Sequence, residues 1–391
     1  MSREESTPSL SAAGGKAVTR PRLLMAGRTR YRLPLEDGLR RKFEALEGEL
    51  ELKVIGTAPP GSPTADGAFR LVGPARPRVL DGALFYPRLA LRIAGELSAF
   101  RPDAVAVQSP YEAAAALAAR RLARARVPIV LDVHGDWRTA TRLYGSAARR
   151  LLNPVTDLVA RTAVRRADAV RTISGFTTGL VRELGVEPAA VFPAFMDLGP
   201  FLSPPRPLPE TPSVLFVGVL ERHKDVDALA EAWRLAAPRV PGVKLHVVGR
   251  GSRGRVVEAL VRELPEQTTW TPALSPPAVA EAMDGATAVV LPSRSEGLGR
   301  VVVEACCRAR PVVATRVGGI TDLVTDGVTG LLVEPRQPAA LADAVVRLVS
   351  DRALAERLGR AARAGVGPWL ATPEEYAARV RSLVDRVTER R

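Results

Sequence analysis

Two carboxylates with a glycine-rich turn between them are the first residues in this sequence able to do chemistry. They stand in the stretch Leu291-Pro-Ser-Arg-Ser-Glu296-Gly-Leu-Gly-Arg-Val-Val-Val-Glu304-Ala. The apolar run before it predicts a buried strand ending at Leu291, and the run after it a helix over Arg300–Arg308. Gly297, Leu298 and Gly299 make a tight entry into that helix. Backbone N–H groups at a helix start hold phosphates, assisted by the helix dipole. Glu304, just over one turn inside, can accept hydrogen bonds from two vicinal hydroxyls, as a ribose presents. Glu296, out in the loop, reaches beyond the phosphates to a further hydroxylated group. A ribose grip, a diphosphate cradle and a second carboxylate, in that order, describe a nucleotide sugar. The plain alternative is a pair of surface glutamates around a strand-to-helix turn.

Other groups fit around this pair. Gly218 ends a predicted strand, Ser213–Val217, and Arg222 and Lys224 follow in the next loop. A strand-end glycine lets backbone approach a ligand, and a lysine neutralises a diphosphate as a point charge. Gly249 ends the next strand, Lys244–Val248, and opens Gly249-Arg-Gly-Ser-Arg-Gly254. That spacing matches a dinucleotide fingerprint, which also needs an acidic residue about 20 positions on. Residues 268–273 offer none, and the motif follows the second strand of its half, so an NAD-dependent enzyme is disfavoured. Contacts near Gly249–Gly251 and Trp270–Ala273 would instead discriminate the base. In the first half, Asp132, His134 and Asp136 cluster at the carboxyl end of a strand, Ile129–Val133. Arg28, Arg30 and Arg32 crowd a loop, Arg28–Leu35, behind the first strand, Arg22–Gly27. They suit an anionic ligand such as a lipid phosphate, or are simply a solvated basic loop.

The elements that position these groups alternate along the chain. Apolar strand-like runs and longer helical patterns follow one another, the mark of parallel α/β sheets. Helices are expected at Leu39–Glu47, Ala113–Ala125, Asp225–Leu235 and Arg255–Leu264, and Ser174 caps one that Gly185 ends. Pro204, Pro205, Pro207, Pro209 and Pro212 break the pattern and mark a domain boundary. The expected division is a loose tail over 1–20, a first Rossmann-like domain over 21–203, a linker over 204–212, a second over 213–367 and a final helix over 368–391, and the family resemblance given below implies acceptor binding for the first and nucleotide-sugar binding for the second. Two such halves imply two Rossmann-like domains facing across a cleft, with ligands outside the carboxyl ends of the strands.

Composition removes several classes. With 391 residues, 46% of them hydrophobic and 25% charged, the chain has material for two cores. No apolar run reaches the roughly 18 residues of a membrane-spanning helix. The first 20 residues lack the hydrophobic block of a secretion signal. The only cysteines, Cys306 and Cys307, are adjacent in a predicted helix and cannot form a disulfide with each other. Three scattered histidines give no metal cluster. A reducing cytoplasm is the simple expectation. Net charge is +14, of which +10 falls on residues 1–200, suiting contact with an anionic membrane. Aromatics are 5% and do not interleave with basic residues, so nucleic-acid binding is poorly supported.

These segments resemble glycosyltransferase family 4, a large GT-B-fold family. Its pattern has Gly-Arg-Leu followed by Lys, two Glu separated by seven residues, a Gly-Gly-Ile-Pro-Glu stretch and an Asp-Gly-x-x-Gly turn. Here the counterparts are Gly218-Val219-Leu220 with Lys224, Glu296 with Glu304, Gly318-Gly319-Ile320-Thr321-Asp322, and Asp326-Gly327-Val328-Thr329-Gly330. Ala167–Ser174 resembles the family's helix-strand-Ser element, and Pro193–Phe201 with Asp197 its domain-closing segment, so the likeness spans about residues 22–365.

The resemblance implies a retaining, metal-independent transfer from a UDP- or GDP-sugar to a hydroxyl acceptor, a lipid, glycan or small molecule. It implies no cofactor beyond the nucleotide sugar, and a place in cell-envelope or polysaccharide synthesis at the inner face of the membrane. Lys224 and the N–H groups of Gly297–Gly299 would hold the diphosphate, Glu304 the ribose and Glu296 the transferred sugar. His134 matches a histidine near the acceptor and the scissile bond; a loop histidine capping a backbone group is its plain alternative. Arg28, Arg30 and Asp136 would face the acceptor. With no carboxylate placed as a nucleophile, front-face attack is expected, the leaving phosphate taking the acceptor's proton. The final helix would cross back to the first domain. Three positions depart from the pattern: Val219 replaces an arginine that Arg222 could substitute, Thr321-Asp322 replaces Pro-Glu, and Gly27-Arg28 replaces a glycine pair. The alternatives are an epimerase of the same fold, or a catalytically degenerate basic protein that binds membranes or nucleic acid.

Overall fold

The computed structural model describes residues 20–73, 81–144 and 153–389. The expected tail, Arg20 apart, and the last two residues lie outside these.

The first half forms β1 (Arg22–Arg30), α1 (Asp37–Glu49), β2 (Glu51–Thr57), β3 (Ala65–Asp66), β4 (Phe69–Val72), α2 (Asp81–Ala99), β5 (Ala104–Val107) and α3 (Pro110–Leu122). It continues with β6 (Ile129–Val133), α4 (Trp137–Tyr144), α5 (Asn153–Arg166), β7 (Ala169–Thr172), α6 (Gly175–Arg182) and β8 (Ala190–Val191). The sheet order is β3-β4-β2-β1-β5-β6-β7-β8, parallel except for the β3–β4 pair. Its central strands are apolar on both faces because helices cover both. α6 starts on Ser174, whose hydroxyl accepts from the Thr177 N–H in a reciprocal capping box.

The second half repeats the scheme: β9 (Ser213–Val217), α7 (Val226–Ala236), β10 (Lys244–Val248), α8 (Gly254–Glu263), β11 (Thr268–Thr271), α9 (Pro276–Asp284) and β12 (Ala288–Leu291). Then come α10 (Arg300–Cys307), β13 (Val312–Thr315), α11 (Ile320–Leu323), β14 (Gly330–Val333), α12 (Pro338–Ser350), α13 (Arg352–Gly365) and α14 (Pro373–Glu389). The all-parallel order β11-β10-β9-β12-β13-β14 reverses direction between β9 and β12. Ligands of such sheets bind where the order reverses, outside the carboxyl ends. The loops after β9 and β12 carry Lys224 and Glu296 to that point.

α14 returns to the first domain. Tyr376, Ala377 and Val384 join a core with Phe43, Leu46 and Phe192, and Arg381 donates to the Glu49 carbonyl. The proline-rich segment is strapped to the second domain rather than free. Arg310 donates to the Arg206 and Pro207 carbonyls, and Arg352 to those of Leu208 and Pro209. Arg308 and Arg310, both buried, also hold Asp284 and the backbone of α9.

One expectation needs correction. Arg28 and Arg30 belong to β1, not to a loop behind it. Past a register shift after Ala26, Arg30 pairs with Thr57 of β2, so the ladder carries the strand through the basic residues. Among the described residues no helix is long and apolar enough to cross a membrane.

Candidate functional site between the domains

The loop after β9 makes a short 3-10 turn, Arg222–Lys224, and then enters α7 through Asp225. Asp225 has a left-handed backbone, φ 49, and its side chain is buried. Arg294, from the loop after β12, pairs with that carboxylate at 2.6 Å and donates its backbone N–H to the His223 carbonyl at 2.7 Å. Two loops from adjacent strands are thus stitched together, and their functional groups meet. Lys224 Nζ lies 2.5 Å from Glu296 Oε1, and the same oxygen accepts from the buried Ser293 hydroxyl at 2.7 Å. Thr315 in turn fixes the Ser293 carbonyl.

Gly318 packs on this loop from β13. It has φ 54, and a β-carbon there would lie 1.9 Å from the Glu296 carbonyl oxygen. Only glycine allows both the conformation and the approach. Gly299, at φ 90, opens α10. Glu304 lies on the buried side of that helix, and its carboxylate accepts from Arg300 at 2.6 Å. Burial pushes the Glu304 carboxyl above its usual range, against the pull of Arg300 and Lys224. Lys224, Glu296, Gly297–Gly299 and Glu304 therefore form one continuous site. Gly218 and Gly249 meet at its edge, where the Gly218 N–H donates to the Val248 carbonyl and Trp270 holds the Gly249 carbonyl. Arg222 is exposed on the same turn as Lys224.

The first domain brings His134 to this place. Its Nε2 lies 2.9 Å from Asp132 Oδ2, and Arg171 reaches the same oxygen at 2.6 Å. Burial alone would raise the Asp132 carboxyl. The charges of Arg171 and His134 outweigh it and hold the group down at about 2. Arg171 is itself buried, stacked on the Phe192 ring and donating to the Phe192 and Pro193 carbonyls. Asp136 turns to its own helix: it accepts from the Arg138 N–H at 2.9 Å and the Thr139 hydroxyl at 2.7 Å, capping α4. Arg28 and Arg30 stand apart, at the β1 end of the cleft, beside α2.

Direct contacts join the domains. The Ser174 hydroxyl donates to the Gly297 carbonyl at 3.1 Å. Asp322 accepts from the Phe176 N–H at 2.9 Å and so caps α6 from across the cleft. Arg300 reaches the Asp197 carbonyl, and Asp197 pairs with Arg41 of α1.

Sequence reasoning missed Ser293, Arg294, Arg300 and Arg171. Arg300 was legible, since it stands four residues before Glu304 on one helix face. Arg171 was not, because its meeting with Asp132 depends on β6 and β7 being neighbours in register.

Comparison with known proteins agrees with this layout. Residues 203–365 match the family profile of glycosyl transferases group 1, and residues 40–199 that of glycosyltransferase family 4. A glycogen synthase of Mycobacterium tuberculosis is 31% identical over 289 residues, covering 72% of this chain and 68% of its own. The alpha-D-kanosaminyltransferase of Streptomyces kanamyceticus is 30% identical over 247 residues, covering 59% of this chain and 64% of its own. A D-inositol 3-phosphate glycosyltransferase of Pseudarthrobacter chlorophenolicus is 35% identical over 186 residues, covering 46% of this chain and 44% of its own. The chain thus spans about half to two thirds of these relatives. Among solved structures, a sucrose-phosphate synthase from Thermosynechococcus elongatus superposes with a TM-score of 0.76 at 20% identity, over 95% of this chain and all of the other. The HepE protein of Anabaena, solved with UDP-glucose, gives 0.68 at 17% identity, over 93% of this chain and all of the other. With both halves matched in order and the two parallel sheets facing across one site, the chain belongs to glycosyltransferase family 4 and has its GT-B fold.

Proposed function

We propose that this chain transfers a glycosyl group from a UDP- or GDP-sugar to a hydroxyl acceptor with retention of configuration. The observation that carries the reading is the Lys224–Glu296 contact beside the entry to α10, with Glu304 buried behind it. An ammonium, a helix N-terminus and two carboxylates meet at the carboxyl ends of two neighbouring strands. The fold relative solved with UDP-glucose supports a nucleotide-sugar donor.

In this reading the donor replaces internal contacts. Its diphosphate takes Lys224 from Glu296, and its ribose takes Glu304 from Arg300. Glu296 then accepts from hydroxyls of the transferred sugar. The C1–O bond to the phosphate breaks as the acceptor oxygen approaches on the same face. Lys224 and the α10 N–H groups stabilise the charge growing on the leaving phosphate. That phosphate takes the acceptor's proton. His134, aligned by Asp132 and Arg171, lines the acceptor side. No step calls on a metal or cofactor. The reaction runs in the cytoplasm, where the basic first domain can approach an anionic membrane surface.

The test is calorimetric binding of UDP, GDP and ADP sugars, with donor hydrolysis, on the wild type and Glu304→Ala. Saturable binding of one nucleotide sugar, weakened at least about tenfold in the variant, is the expected result. Binding of none overturns the reading. Ring isomerisation without an acceptor replaces it with an epimerase.

A further inference from the structure

Lys224, Glu296 and Glu304 meet in the donor site, one cation against two carboxylates. The donor proposed for that site is itself an anion. The diphosphate of a nucleotide sugar carries about two negative charges, and the nucleoside diphosphate that leaves carries about three. The N–H groups at the start of α10 add only about half a positive charge. Lys224 and that helix start therefore leave most of the charge unanswered. Arg294 is committed elsewhere, to the buried Asp225 carboxylate.

Arg300 is a further cation already in the site. It is the first residue of α10, directly after Gly299. Its Nε donates to Glu304 Oε1 at 2.6 Å, and a terminal nitrogen reaches the Asp197 carbonyl of the first domain at 3.3 Å. The guanidinium thus lies in the cleft, on the carboxylate assigned to the ribose, and its side chain is about half exposed. The helix dipole disfavours a cation in a first turn. Arg352 opens α13 in the same way, paired with Glu356, but there the guanidinium straps the proline-rich segment through the Leu208 and Pro209 carbonyls. Arg300 has no such strap beyond its one long bond to Asp197. Among the described residues, Arg222 pairs with neither Glu296 nor Glu304, although it is exposed on the same turn as Lys224.

We propose that Arg300 is a catalytic residue, the second cation on the donor's diphosphate. The inference rests on the glycosyl-transfer reading and assigns a further residue to the same site. When ribose hydroxyls take the Glu304 carboxylate, Arg300 is released in the first turn of α10. Side chains on a helix lean towards its start. The freed guanidinium therefore swings over the N–H groups of Gly297–Gly299, where the diphosphate lies. A guanidinium fork can hold two phosphate oxygens at once. As the C1–O bond breaks, its electron pair stays on the phosphate oxygen, which also receives the acceptor's proton. Arg300 and Lys224 stabilise the charge that forms before that proton arrives.

The experiment uses the full chain and the variants R300Q, R300K and R222Q. Affinity is measured for UDP and GDP by calorimetry and for uridine and guanosine by NMR titration, and turnover as hydrolysis of UDP-glucose and GDP-glucose. In R300Q the nucleoside diphosphate that the wild type binds should bind about tenfold more weakly or worse. The matching nucleoside should bind as well as before or better, because Glu304 is freed for its ribose. Hydrolytic kcat should fall about a hundredfold, and R300K should recover part of both losses. Unchanged diphosphate affinity and kcat in R300Q would make the Arg300–Glu304 contact a plain helix ion pair and overturn the proposal. Equal weakening of nucleoside and diphosphate overturns it too, since Arg300 would then act only by orienting Glu304. Loss confined to R222Q gives the role to Arg222 instead. Wild-type protein that binds neither diphosphate overturns the donor reading and this inference with it, whereas the other adverse outcomes leave the donor reading standing.

Discussion

The backbone carbonyl of His134 lies against the α-carbon of Gly297, so close that a β-carbon on Gly297 would sit 1.8 Å from its oxygen. The residue expected to face the acceptor and the loop expected to hold the diphosphate are therefore in backbone contact. Ser174 seals the same point by donating to the Gly297 carbonyl. In a two-lobed enzyme, lobe closure brings acceptor and donor together and excludes water. Gly297 is where this closure becomes atomic.

Gly297→Ala should accordingly damage alignment more than folding. The methyl group must push the His134 carbonyl away, and with it one lobe. A misplacement of about 1 Å at a reacting centre costs roughly a hundredfold in rate. Transfer should fall by about that factor while far-UV circular dichroism stays unchanged. A Gly297→Ala enzyme with wild-type turnover would show that the contact is not part of the active form.

On the proposed donor reading, the raised Glu304 carboxyl should make nucleotide affinity pH-dependent. A ribose needs the ionised form as acceptor. Burial keeps the group protonated at pH values above its ordinary 4.5, so affinity should begin to fall on acidification before an exposed glutamate would titrate. Glu304→Gln should bind the nucleotide about tenfold more weakly at neutral pH and lose this pH dependence. UDP titrations across the mildly acidic range measure both effects.

Much of this was legible because parallel strands are uninterrupted apolar runs. Val214–Val217 and Ala288–Leu291 announced their strands, and the glycine-bounded spacing of Glu296 and Glu304 announced the strand-to-helix loop now proposed to hold the donor. β2, reading Glu-Leu-Lys-Val-Ile-Gly-Thr, mixes charge with apolar residues and gave no such signal. The site's supports were hidden for a different reason. Arg171 reaches Asp132 across a strand pair, and Arg294 reaches Asp225 from 69 positions away. Such contacts follow from sheet order, which local spacing does not encode. Asp136 shows the converse: its cap on α4 was written in the local sequence, three residues before Thr139.

Arg171 should prove structural as well as orienting. Its removal leaves Asp132 buried without its main counter-charge. Breaking such a pair from one side costs about 3–5 kcal/mol. Arg171→Met should therefore lower stability by about that amount, with partial recovery in Arg171→Met/Asp132→Asn. The pH dependence has a defined sign. A carboxyl held near 2 in the fold and near 3.8 when unfolded stabilises the protein above pH 4, and this support fades as pH falls towards 2. In Arg171→Met the folded-state carboxyl rises towards or past its unfolded value, so this acid-linked loss should shrink or disappear. Urea unfolding between neutral and acid pH reads both.

The Lys224 loop permits a sharper double test. Asp225 holds a left-handed backbone with a buried carboxylate, and among the described residues Arg294 is the cation paired with it. Arg294→Met alone strands that charge and should cost about 1–3 kcal/mol. Asp225→Gly removes the charge and supplies the residue best suited to φ 49. The double variant should then regain most of the stability lost by Arg294→Met. Donor binding should not recover with it, because the Arg294 side chain no longer ties the loop after β12 to the turn that presents Lys224. Thermal unfolding beside the donor KM separates the two outcomes. Recovery of both would mean that the ion pair serves the fold alone.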